Sequence, residues 1–143
     1  MVHALEQAHR VLRARGHVID LHPERGSRTR YGRRLPVFVR ADADVPAGYL
    51  RGRPGGYDDY LAADRAVARV LRRGLFTLES TEVLALRDHL RSLEALEHVL
   101  ATEWIETTLG PSTRRRLQAL LYRHPAGKIV VVEAVRFNLL RKP

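Results

Sequence analysis

The segment Lys128-Ile129-Val130-Val131-Val132-Glu133-Ala134-Val135-Arg136-Phe137-Asn138-Leu139-Leu140 constrains this chain more than any other. It reads as one long strand, and its start is apolar on both faces, as in the centre of a sheet. The rest of the chain must supply the neighbours of that strand.

Those neighbours alternate between helix and strand. Val2 to Arg15 is amphipathic, with Leu5, Ala8, Val11 and Leu12 at helical spacing, and Gly16 supplies a stop. His17 to His22 follows as a short strand ended by Pro23. Glu24 to Arg34 reads as a polar loop. Leu35 to Arg40 is a short strand that Pro36 places at an edge. Ala41 to Gly56, rich in Gly and Pro, is a loop or hairpin. A helix starts at Tyr57 or Asp58 and ends at Gly74, with Asp58 and Asp59 suiting its positive end. Leu75 to Leu86 is a strand whose alternation slips near Val83-Leu84. Ser92 reads as the N-cap of a helix ending near Trp104, and Pro111-Ser112-Thr113 opens a last helix through Tyr122. The class is α/β.

The length of 143 residues fits a single domain with its own core. With no cysteine, disulfides, thiolate zinc sites and a Cys nucleophile are excluded. No apolar run approaches a membrane span, and the first residues lack a signal-peptide pattern, so the expected address is the cytoplasm. The net charge is +9, but only Lys128 and Lys142 are lysines. Phosphate binding would accept lysine too, so the bias reads more as codon usage than as a nucleic-acid footprint.

Residues 4–20 resemble a stretch of class I S-adenosylmethionine-dependent methyltransferases, in which a helix ending in R-V-L-(K/R)-P-G-G leads into the fifth strand. The matching residues are Arg10-Val11-Leu12-Arg13-Ala14-Arg15-Gly16, which depart from the pattern at Ala14 and Arg15. On this resemblance Gly74-Leu75-Phe76 is the turn into the sixth strand, Ser92 to Leu96 opens the helix that follows, and Lys128 to Leu140 is the antiparallel seventh strand. It implies a partial Rossmann-like methyltransferase sheet of about three to four strands, the last antiparallel, with flanking helices, forming one half domain over 1–143.

In that family the cofactor is held by the first half of the fold, through a glycine-rich turn and an acidic strand end. None of the ten glycines here forms Gly-x-Gly, and Gly52-Arg53-Pro54-Gly55-Gly56 reads as a turn. The expected function is therefore a truncated methyltransferase-like binding or assembly module without its own cofactor. Two alternatives stand beside it. One is a methyltransferase whose S-adenosylmethionine-binding half comes from a partner chain or an upstream segment. The other is a basic nucleic-acid-binding module.

Asp20, His22 and Tyr31 are candidates for contact with a ligand cleft. Arg25, Arg28, Arg30, Arg33 and Arg34, with Tyr31 among them, are candidate phosphate contacts. The histidines lack the spacing of a metal pair, and no Gly-x-Ser-x-Gly elbow occurs. Arg114-Arg115-Arg116 opposes the dipole of its helix, which points to a carboxylate nearby such as Glu103 or Glu106. The strand Val18 to Leu21 would lack the family's fourth strand as a neighbour. That predicts a homodimer through the Met1–His22 region, unless Leu35 to Arg53 folds back over the edge.

Overall fold

The computed structural model describes residues 1–24, 28–29, 32–52 and 58–143. In chain order the elements are α1 (Val2–Val11), β1 (His17–Pro23), β2 (Arg28–Thr29), β3 (Gly32–Arg40), β4 (Asp44–Gly52), α2 (Asp58–Arg72), β5 (Thr77–Leu90), α3 (Leu93–Thr102), β6 (Thr107–Leu109), α4 (Pro111–Arg123) and β7 (Lys128–Arg141). The fold is α/β. The chain divides into two compact units, the first of Met1–Arg25, Tyr57–Leu84 and Ala134–Pro143, the second of Gly26–Gly56 and Ala85–Glu133. Both β5 and β7 give one part of their length to each unit.

In the first unit β7 is paired on both sides. His17 through Pro23 of β1 pair antiparallel with Arg141 through Val135. β5 also pairs with β7. Its contacts run in the antiparallel sense, from Thr77 Oγ1 donating to the Arg141 carbonyl at 3.3 Å to Thr81 Oγ1 donating to Asn138 Oδ1 at 2.8 Å. α1 and α2 pack on this sheet through Leu5, Ala66, Val67, Val70, Phe76 and Leu140. The helical spacing in α1 explains why Leu5 reaches that cluster, with Val2 and Leu12 at its margin.

In the second unit β3 lies between β4 and the first residues of β7, again antiparallel, and β6 extends β4. Ile129, Val130 and Val131 are fully buried, as their two-faced apolar pattern requires. α3 and α4 cover the sheet through Leu93, Leu96, Leu117 and Leu120. Ser92 caps α3, its hydroxyl accepting from the Ala95 amide at 3.2 Å.

Three expectations are corrected. Seven strands form among the described residues, not three or four, and every register pairing is antiparallel. The parallel relation expected in a Rossmann-like sheet survives only indirectly, because β7 lies between β1 and β5. β3 is longer than expected and is not an edge strand. Pro36 is tolerated because it pairs with Tyr49 of β4 but lies outside the stretch, Val37 to Arg40, that pairs with β7. The short β6 has too few residues for its alternation to show in the sequence.

Among the positions of positive φ, Gly48 and Arg15 differ in their reasons. Gly48 has φ +138° beside a register shift between Val37 and Phe38, and a Cβ there would lie 2.5 Å from Thr113 Oγ1. Arg15 sits at φ 63°, in the left-handed region that favours glycine. Gly48→Ala is therefore expected to destabilise the protein by about 1–3 kcal/mol. Arg15→Gly is expected to stabilise it by up to about 1 kcal/mol, because the left-handed strain is relieved. Urea unfolding of both variants checks the opposite signs.

At the β3–β4 turn the Arg87 guanidinium bonded to Asp44, with Arg40 at 3.2 Å, holds the Asp44 carboxyl below the usual carboxylate range. A lowered folded value means that its contribution to stability is present above the unfolded value and is lost as pH falls through the folded one. Arg87→Gln should shift the Asp44 titration upward, read by carboxyl NMR.

Candidate functional site

The first unit buries a connected set of polar side chains. Alternation along β1 puts Asp20 and His22 on the face of Val18, which belongs to the cluster under the helices. His22 Nδ1 lies 2.9 Å from Asp20 Oδ2, and His22 Nε2 lies 2.9 Å from Asp64 Oδ1 on α2. Register places Asn138 of β7 opposite Asp20, where Asn138 Nδ2 donates to Asp20 Oδ2 at 2.8 Å. Thr81 of β5 donates to the other end of the Asn138 amide. Four elements thus meet through one polar chain, Asp64–His22–Asp20–Asn138–Thr81.

The chemistry of this set is mutual satisfaction. A neutral imidazole donates from one nitrogen only, whereas the doubly protonated ring donates to both carboxylates. Asp20, His22 and Asn138 are all buried. Each spends its polar atoms on another member of the chain, so the set ties β1 to β7 and α2. At the end of β1, Arg136 Nη2 approaches Glu24 Oε2 at 2.6 Å, and the Glu24 amide donates to the Ala134 carbonyl.

Of the three cleft candidates, Asp20 and His22 are thus brought together, facing the interior of the unit. Tyr31 lies outside the described residues. Asp64, Asn138 and Thr81 were not singled out in the sequence. Asp64 and Asn138 lie 42 and 118 residues from their partners, so no local spacing could point to them.

The candidate phosphate contacts divide similarly. Arg25 and Arg30 lie outside the described residues. Arg28 and Arg33 are placed by backbone only, opposite one another in the β2–β3 pairing. The Arg34 guanidinium lies 5.7 Å from the centre of the Tyr49 ring, and Arg34 lines a cleft in the second unit. Within Arg114–Arg116, Arg114 pairs with Glu97 on α3, a different carboxylate from Glu103 and Glu106. Arg116 Nε donates to the Pro46 carbonyl at 2.9 Å.

Among the described residues no group of three His, Cys, Asp or Glu could hold a metal ion. No helix among them is long and apolar enough to cross a membrane. Compared with protein-family models, with curated proteins and with solved structures, the chain matches none of them.

His22→Ala removes the side chain between two carboxylates and leaves Asp20 with Asn138 alone. The expected loss is about 1–3 kcal/mol, the cost of a buried polar group deprived of a partner. Asp64→Ala should cost less, because the Asp64 side chain keeps 22% exposure and solvent screens the pair. Urea unfolding midpoints at constant slope separate the two.

Proposed function

We propose that this chain is a methyltransferase-like assembly module, whose bare sheet surface receives a partner and which does not transfer methyl groups on its own. The observation that carries the reading is the state of β1. One edge pairs with β7, and no described strand pairs with the other. Since Val18 and Leu140 face the helices, Ile19 and Leu21 lie on the opposite face, directly across from Leu139 and Phe137. Ile19 and Leu21 are 60% and 57% exposed, and Val11 of α1 is 73% exposed. An open edge beside an apolar sheet face is what a docking partner covers.

The rest of the expected α1 stripe is not bare. Leu5 is buried against α2, with Leu12 at the margin, because the two helices cover one another. The available apolar surface is instead on the sheet. On β5 Leu78, Val83 and Leu84 are exposed as well; Val83 and Leu84 are neighbours that point to opposite faces, so no single buried face fixes the alternation there.

The resemblance supplies the kind of module. It reads β1 as the fifth strand and β7 as the antiparallel seventh, and their antiparallel register supports that reading. The open edge of β1 is the side on which the family's fourth strand would lie. A second copy across a two-fold axis is the proposed occupant. A cofactor-binding half joined at the same edge is the second reading, favoured by that same position.

Light scattering at tens of micromolar is expected to give twice the chain mass of 16.3 kDa. Ile19→Arg combined with Leu21→Arg should give a folded monomer, because both residues are exposed in the single chain. A monomeric unsubstituted chain would reject self-assembly. Calorimetric titration with S-adenosylmethionine is expected to show no one-to-one binding at micromolar concentrations, and a tight signal would overturn the absence of an autonomous cofactor site.

A further inference from the structure

We propose that the second unit binds a small organic phosphate in a cleft beside β4 and the first turn of α4. This does not rest on the assembly reading, which concerns the first unit. The cleft has a volume of about 300 Å³ and is lined by Arg34, Arg51, Arg116, Tyr49 and Ser112 among others. That is the lower end of the size range for small-molecule sites.

Two features of the local fold create the cleft. β6 pairs with β4 only from Leu50 onward, leaving the edge of β4 before it open to α4. The register shift near Gly48 then lets Thr113 reach the strand, its hydroxyl donating to the Tyr49 carbonyl at 3.2 Å. Glycine at 48 is required by that approach, since a Cβ would collide with Thr113.

The charge arrangement selects an anion. Arg34 and Arg51 are direct cross-strand partners in the β3–β4 register. Like charges placed opposite one another destabilise a sheet unless something negative lies between or beside them. No carboxylate lines the cleft, and none of its three arginines forms an ion pair with a carboxylate among the described residues. Arg116 spends Nε on the Pro46 carbonyl, a bond that positions its guanidinium at the cleft without neutralising it. α4 adds its positive end, where Gly110 offers no side-chain cap.

Three guanidinium groups exceed what a single carboxylate can accept, and they match the charge and the several oxygens of a phosphate monoester. The volume leaves room for more than the phosphoryl group. Tyr49, half-exposed with Arg34 over its ring, and Ala47 and Pro111 form the apolar wall for the organic part.

The test is calorimetric titration of the full chain with inorganic phosphate, adenosine monophosphate and adenosine. Adenosine monophosphate should saturate one site, phosphate should bind more weakly, and adenosine should not bind. Arg51→Gln should weaken monophosphate binding roughly tenfold, the loss of one charge-assisted contact. The same variant should raise the thermal midpoint without ligand, because the cross-strand repulsion with Arg34 is relieved. Arg123→Gln, which removes the same charge from the exposed last turn of α4, should leave affinity unchanged. The proposal is overturned if neither phosphate nor the monophosphate binds saturably at up to about 10 mM, roughly ten times a millimolar dissociation constant. It is overturned equally if Arg123→Gln weakens binding as much as Arg51→Gln, or if only a long single-stranded oligonucleotide binds, with all arginine variants reducing it alike.

Discussion

Both units contain part of β7, and the pairing of that strand is the constraint on which each depends. In the second unit its first residues are hydrogen-bonded to β3, and in the first its last residues are bonded to β1. Where both faces of such a strand are covered, the side chains on both must be apolar. Ile129, Val130 and Val131 meet the requirement by burying completely, each contributing about 1.5–3 kcal/mol relative to exposure. Farther along, the apolar run gives way to Arg136 and Asn138, and the same strand takes on polar contacts.

That change has a consequence for register. A one-residue slip in a sheet turns every side chain to the opposite face. Apolar residues occur on both faces of β1 and β7, so hydrophobic burial alone discriminates weakly between registers there. Asp20, His22 and Asn138 discriminate strongly, because a slip would leave buried polar atoms without partners. The polar chain costs desolvation and gives in exchange one defined pairing of β1 with β7. It also explains how β1 can hold its place with β7 as its one partner among the described strands.

Charge is distributed with the same division of roles. Arg73 with Glu6, Arg87 with Asp44 and Arg114 with Glu97 are exposed ion pairs that each add little to stability. They account for part of an arginine-rich surface without invoking any ligand. Arg34, Arg51 and Arg116 differ in kind, because they gather around a cavity and form no such pair among the described residues. The informative quantity is therefore where the positive charge remains uncompensated, and the net charge of +9 does not reveal that.

By itself the sequence determined most of the elements, because their signals are local. The apolar spacing in residues 2–12, the cap at Ser92, the Pro111 start and the two-faced run after Lys128 each act within a few residues. It also brought Asp20 and His22 together, since two residues apart on a strand means one face. Only the tertiary structure decided their partners, Asn138 of β7 and Asp64 of α2, which lie far away along the chain. The same holds for the antiparallel character of the pairing: alternation of helices and strands is compatible with parallel neighbours, and nothing in the composition of β7 says that it enters between β1 and β5. The arginine cleft shows the limit most plainly. Arg34, Arg51 and Arg116 lie far apart in the chain, and they converge because β3 and β4 form a hairpin and a glycine lets α4 approach it.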